Sequence, residues 1–423
     1  ETPGWRIKAD TVTYDKAEHR IEYGDATFEI FGVPVLYTPY LAHSDGQVKR
    51  ESGFLNPGFG YDSELGLILD QKYYWDIAPN RDATFGLMIP SKELPVALGE
   101  YRHHFGEGTF ETSGSVTYSD RTDSSAGEDD QIDEDFRGHL FADGLWHIDN
   151  KWRAGLGIEV ASDDQYLREY DFSGKNVLEN ELYVERFSGR NYTVGKLAAF
   201  QDVRIRDQEG DQPNVLPEIS STFVGEPNQT FGGRWDFTTS VLGLQRDNGQ
   251  DMWRVSVDGG WERRDVTDFG LVTLVDLSMR ADAYNASDRD VADGGTGRSE
   301  ESSATRFFPQ AHLETSYPFV RPYEKFQAVI EPTVALTLAP NIEEDDEDIP
   351  NEDSLDVQLD ASNLFEPNRY PGLDRVEDRS RFTYGMKTGL YAYDGSRADV
   401  FLGQSLRFVE NDNPFPNGSG LSR

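Results

Sequence analysis

Phe269-Gly270-Leu271-Val272-Thr273-Leu274-Val275-Asp276-Leu277-Ser278-Met279-Arg280-Ala281-Asp282-Ala283-Tyr284 alternates with period two. Phe269, Leu271, Val275, Leu277, Met279, Ala281 and Ala283 fall on one face, and Gly270, Asp276, Ser278, Arg280 and Asp282 on the other. An extended strand sorts these residues in this way, and a helix would mix them. The pattern continues outward from this stretch. Trp253, Val255, Val257 and Trp261 oppose Arg254, Ser256, Asp258 and Glu262. Phe326, Ile330, Val334 and Leu336 oppose Gln327, Glu331, Thr333 and Thr337, and Phe382, Tyr384, Met386 and Leu390 oppose Arg381, Thr383 and Lys387. From about Ser52 onward there is almost no stripe of helical period, so the chain reads as all-β.

The composition narrows the function classes. The 423 residues carry 40 Lys and Arg against 77 Asp and Glu, a net charge of −37, which argues against a nucleic-acid partner. Aromatic residues make up 12% of the chain, too much ring surface for an acidic disordered chain. There is no Cys, which removes thiol catalysis, disulfides and Cys-bearing zinc sites from this stretch. No apolar run reaches the roughly 18 residues of a membrane-spanning helix. A membrane-spanning β-barrel stays open, because its strands need only about 9 to 11 residues with one apolar face.

Loop lengths separate a barrel from a soluble sandwich, which alternates in the same way. Connections near 106–107, 149–150, 189–191, 225–230, 264–268, 320–325 and 394–396 are short, and those between them, near 120–135, 162–179, 205–213, 245–251, 285–304 and 340–380, are mostly long. Tight turns on one side and long loops on the other are the layout of an outer-membrane barrel. The acidic runs within 120–135, 163–180, 285–303 and 343–348 read as solvated loops, and the last lacks the glycine-pivoted spacing of a calcium loop. About 17 strands of barrel length begin near Ser52, an odd number without a closing strand, so the sequence reads as a piece cut at both ends.

Residues 1–48 differ in character. Trp5, Ile7, Val12, Tyr14, Ile21, Tyr23, Phe28, Ile30, Val33, Val35 and Tyr37 suggest short strands of a small sheet or jelly roll, with turns at Asp15 to His19 and at Gly24-Asp25. Their apolar face would either carry a lipid chain or fill a sandwich core. Signals for catalysis are poor. The seven His residues form no H-E-x-x-H arrangement, His103 and His104 point to opposite faces of a strand, and G-x-S-x-G, Walker A and G-x-G-x-x-G motifs are absent. No catalytic residue, metal or cofactor is expected.

Three stretches are too specific for a generic barrel: Arg50-Glu51-Ser52-Gly53-Phe54-Leu55-Asn56-Pro57; Tyr73-Tyr74-Trp75-Asp76-Ile77-Ala78-Pro79-Asn80-Arg81-Asp82-Ala83-Thr84; and Asn363-Leu364-Phe365-Glu366-Pro367-Asn368-Arg369-Tyr370-Pro371-Gly372-Leu373-Asp374-Arg375, with Pro34-Val35-Leu36-Tyr37-Thr38-Pro39-Tyr40 ahead of them. In this order they resemble the LptD family of outer-membrane proteins, which insert lipopolysaccharide (LPS), from Trp5 to Leu421.

The resemblance implies a division into residues 1–48, the end of a periplasmic jelly roll, and 49–423, the first part of a barrel of about 26 antiparallel strands. It implies a Gram-negative outer membrane and transport of LPS without an enzymatic step. LPS would arrive over a periplasmic LptA bridge along a lipid groove that includes Ile30, Val35 and Tyr37. Acyl chains would leave into outer-membrane lipid between the first and last strands, and the lipoprotein LptE would plug the lumen. The alternative is a passive porin or receptor barrel.

The gate and junction residues are Gly53, Phe54, Pro57 and Lys72. Pro57 has no N–H to donate, which weakens the seam it lies on, and Gly53 adds backbone freedom. The family usually places a second proline before the Tyr-Tyr pair; here that position is Lys72, which keeps its donor. Asn80 and Asp82 are expected as turn residues on the periplasmic rim. In the extracellular loop motif (Asn363, Arg369, Gly372, Asp374, Arg375), ion pairing within the folded loop is favoured over contact with LPS phosphates.

Overall fold

The structure, a computed structural model, describes residues 5–17, 19–46, 50–123, 130–204, 212–247, 249–287, 301–342, 349–354 and 357–408. The acidic run 343–348, and parts of those at 120–135 and 285–303, lie outside the described residues. The chain is nearly all β and divides into two compact units. The first holds residues 1–147, 155–180 and 201–207, and the second holds 148–154, 181–200 and 208–423.

The first unit opens with a small antiparallel sheet of β1 (Trp5–Lys8), β2 (Thr11–Asp15), β3 (Arg20–Ile30) and β4 (Val33–Ser44). Both β1 and β2 pair with β3, and so does β4. The turn expected at Gly24-Asp25 does not exist. β3 runs straight through it, with Gly24 opposite Tyr40 and Ala26 opposite Thr38. Asp25 takes φ 53°, a conformation that Asp tolerates, and its carboxylate accepts the Tyr37 hydroxyl at 2.6 Å. The reversal lies at Phe31-Gly32, where φ values of 47° and 83° make a two-residue hairpin turn.

The same unit continues as an antiparallel meander: β5 (Gly53–Phe54), β6 (Gly58–Asp62), β7 (Gly66–Ala78), β8 (Arg81–Pro90), β9 (Val96–Phe105), β10 (Gly108–Asp123) and β11 (Asp130–His147). β12 (Trp152–Ala161), β13 (Val177–Ser188) and β14 (Asn191–Asp202) contribute residues to both units. A short helix, α1 (Tyr166–Glu169), lies between β12 and β13. The second unit is the meander of β15 (Asn214–Val224), β16 (Arg234–Gln245), β17 (Asp251–Val266), β18 (Val272–Ser287) and β19 (Ser302–Ser316). It ends with β20 (Phe319–Pro322), β21 (Phe326–Leu338), β22 (Arg381–Ala392) and β23 (Arg397–Arg407). The expected first strand of the meander is broken at Pro57, between β5 and β6, since proline cannot donate to the ladder, and β20 is a short strand running into the stretch expected as the connection 320–325.

Burial in the second unit is the reverse of a soluble sandwich. On β17, Met252, Arg254 and Ser256 are buried while Trp253, Val255 and Val257 are bare. On β19, Arg306, Gln310 and His312 are buried while Phe307 is 63% exposed. The charged face is the covered one and the greasy face is open, which suits a sheet whose outer solvent is hydrocarbon.

Candidate functional site

In the first unit, the chain enters the meander at Arg50. Its Nε donates to the Tyr74 hydroxyl (2.9 Å), Nη1 to the Pro79 carbonyl (2.8 Å) and Nη2 to Asp82 Oδ2 (2.7 Å), with Asp76 Oδ1 at 3.2 Å. Asp82 Oδ1 accepts from Arg102 Nε at 2.9 Å. Asp82 was expected in a turn. It lies in β8, and its carboxylate joins Arg50 to Arg102, while Asn80 does occupy the turn and donates to the His104 carbonyl at 2.8 Å. Ser52 Oγ accepts the Asp76 N–H at 2.9 Å. The junction and Tyr-Tyr-Trp motifs, 24 residues apart at Arg50 and Tyr74, are thus one hydrogen-bonded assembly.

Gly53 and Phe54 pair with Tyr74 and Tyr73, and the Phe54 ring meets Tyr73 edge-on at 5.2 Å. Pro57 sits in the gap before β6. The Lys72 carbonyl accepts from Leu55 N at 2.8 Å, and its ammonium reaches Asp70 at 3.1 Å. In the small sheet Val35 and Tyr37 are exposed, and Val35 falls in a bulge where Pro34 faces Glu29 and Leu36 faces Phe28. The side chain of Ile30 lies outside those described.

The loop that carries α1 packs into an apolar cluster of the first unit. Tyr166, Leu167 and Tyr170 are buried with Leu65, Val96, Leu178 and Val203. Arg137, 1% exposed, anchors them. It forks onto Asp163 (Nε to Oδ2, 3.0 Å; Nη2 to Oδ1, 2.9 Å) and meets Glu169 Oε2 at 2.8 Å. Burial pushes Asp163 up, but its hydrogen bonds to Arg137 and Ser162 outweigh this and hold the carboxyl below its usual range. Burial dominates at Glu169 and raises it.

In the second unit, residues 349–354 and 357–380 pack against the polar face of β17–β19 and β22–β23. Asp374 is fully buried against Arg254, and Arg306, paired with Asp282 at 2.7 Å, donates to the Asp374 and Leu373 carbonyls. Arg369 forks onto Glu377, and Arg381 and Arg407 lie 3.5 and 3.6 Å from the same carboxylate. Gly372 has φ +75° against Asp353. Asn363 caps a turn, accepting from Asp360 N and donating to the Gln358 carbonyl. The Arg375 guanidinium lies over the Tyr370 ring at 5.9 Å. Burial raises Asp374, whereas Asp353 is held low because the Asp374 amide and Arg254 overcome its burial.

The structure therefore brings Gly372 and Asp374 together on Asp353 and sets Arg369 in a separate cluster on Glu377, and it places Gly53, Phe54 and Pro57 at the start of the first unit's meander with Lys72 on the neighbouring β7. Sequence reasoning did not find Arg254, Arg306, Asp353 and Glu377, nor Arg137 with Asp163. The available signal was an Arg on an otherwise small or polar strand face, which marks a side chain that needs a buried partner.

A family model described as LptD, LPS transport system D, matches residues 135–423. The LPS-assembly protein LptD of Acinetobacter baumannii is 26% identical over 428 residues, with 97% of this chain and 50% of the relative covered. That of Pseudoalteromonas translucida is 28% identical over 435 residues, covering 100% and 55%. That of Pectobacterium atrosepticum is 26% identical, covering 92% and 50%. The chain spans about half the length of the curated relatives it matches.

Proposed function

This chain belongs to the LptD family, and on that premise we propose that it is part of an outer-membrane β-barrel protein that delivers lipopolysaccharide to the outer leaflet. The observation that carries this reading is the reversed burial of the strands, with arginines covered and Trp253, Val255 and Phe307 bare, which a hydrocarbon surrounding makes favourable. Residues 1–48 act as the periplasmic end of a jelly roll, and residues 49–423 belong to the barrel. Lipid travels along Val35 and Tyr37, which the small sheet leaves exposed instead of burying in a core. It reaches the edge formed by Gly53, Phe54 and Pro57, where a ladder broken at proline opens more easily than a continuous one. Partners in this reading are LPS, the LptA bridge, the LptE plug and outer-membrane lipid. The protein breaks no bond, and an energised inner-membrane complex drives the movement.

The test is depletion of the full-length protein in a Gram-negative host in which it is the sole copy. Newly made LPS is expected to stop reaching the cell surface. Undiminished surface arrival of LPS, with a fall in uptake of small solutes, would instead identify a porin.

A further inference from the structure

The strand that begins at Gly53 changes register once. Gly53 stands opposite Tyr74 and Phe54 opposite Tyr73, so an unbroken ladder would set Pro57 opposite Asp70. Gly58 stands there instead. One extra residue is held between Phe54 and Gly58, as in a bulge. This slip sets the faces. Phe54, Phe59 and Tyr61 are opposite Tyr73, Leu69 and Leu67, alternate residues of one β7 face, and are 75%, 73% and 74% exposed. Without the extra residue, Phe54 and Phe59 would point to opposite sides, because side chains alternate along a strand.

A bulge can be healed by sliding the upstream segment back one position, about 3.3 Å, which would set Phe54 opposite Tyr74 and Leu55 opposite Tyr73. What opposes the slide is Arg50, with Ser52. The Arg50 guanidinium spends Nε, Nη1 and Nη2 on Tyr74, the Pro79 carbonyl, Asp82 and Asp76, at 2.7 to 3.2 Å. Asp82 is itself fixed from the far side by Arg102. A planar fork fitted to partners in three directions loses them together when its backbone shifts by a residue, whereas a single point charge would follow.

We infer that Arg50 is a positioning residue, a register pin that keeps the extra residue at Leu55–Pro57 and so presents Phe54 and Phe59 on one aromatic face. The consequence for lipid delivery rests on the proposed function, but the register itself does not.

This chain has no cysteine, so introduced pairs meet no competitor within it. In the full-length protein folded in membranes, Phe54→Cys with Tyr73→Cys reports the observed register, and Leu55→Cys with Tyr73→Cys reports the slipped one. With Arg50 present the first pair should oxidise in preference to the second. Arg50→Ala should move the ratio of the two yields toward the slipped pair by on the order of tenfold, the worth of a lost charge-assisted hydrogen bond. Arg50→Lys, which keeps the charge without the fork, should fall between them. Where Arg50→Ala does not accumulate, Asp82→Asn reads the same ratio from the partner's side. An unchanged ratio in a folded variant overturns the pin, since general destabilisation lowers both yields alike. A shifted ratio in a protein that never forms LPS adducts at Phe54 would keep the pin and remove the lipid-delivery reading.

Discussion

Arg254 holds two parts of one loop with a single nitrogen: Nη1 lies 2.6 Å from Asp353 Oδ2 and 2.5 Å from Asp374 Oδ1. The other Asp374 oxygen accepts the amides of Glu352 and Asp353. Arg254→Met should leave Asp374 buried without its cation and cost the docked loop about 3 to 5 kcal/mol. Limited proteolysis would then cut within 349–380 while the strands stay protected. Equal resistance of variant and parent would show that the ion pair does not hold the loop.

Gly372→Ala attacks the same contact through the backbone. Its φ of +75° suits glycine, and an added Cβ would fall against the Asp353 carboxylate and 2.5 Å from the Asp353 carbonyl oxygen. The cost should be roughly 1 to 3 kcal/mol. Because the two substitutions share Asp353, the double variant should lose less than the two single losses combined. Strict additivity in denaturant titrations of loop accessibility would separate the two contacts.

The pH response of the α1 loop follows from two carboxylates shifted in opposite senses. Asp163 is held low, so its stabilisation is present above the unfolded value of about 3.9 and is lost as pH falls through its folded pKa. Glu169 is raised by burial, so its protonation comes earlier and removes a cost instead of a support. Hydrogen-exchange protection of Tyr166–Asp171 should therefore hold or rise between about pH 7 and 5 and collapse only below about pH 4. Steady loosening from about pH 6 would contradict this assignment.

Lys72 can be tested by placing there the proline that the family resemblance leads one to expect. Its carbonyl serves Leu55, and its half-exposed ammonium pairs with a partly buried Asp70, so Lys72→Pro removes mainly a backbone donor beside β5. Under the proposed function the edge should open more readily, and LPS adducts at Phe54 should increase. A decrease in adducts, with the Gly53–Tyr74 pairing intact, would assign the donor no part in closing the gate.

The strands were legible because each needs only local alternation, and Phe269–Tyr284 shows it without reference to any partner. The errors have local causes. Phe31 looks like a strand residue, so the hairpin at Phe31-Gly32 was hidden, while Gly24-Asp25 has turn chemistry inside a continuous strand. The loop's ion pairs were only partly legible. Arg369, Asp374 and Gly372 stood out by motif, but Arg254 lies 99 and 120 residues from its two partners, and no local pattern carries such a pairing. The same holds for Arg137 and Asp163, 26 residues apart across a hairpin and a loop. Register is a further case: the bulge at Pro57 is signalled by the proline, but its position is fixed by Arg50, whose contacts with Asp76 and Asp82 depend on the turn that follows β7.

Lipid delivery along the small sheet to the edge at Phe54 is tested most directly by site-specific photocrosslinking in cells that make the full-length protein, with the probe at Tyr37 and at Phe54. Energy-dependent LPS adducts at both positions are the expected result. A protein folded in the outer membrane that gives no adduct at either position would contradict the route.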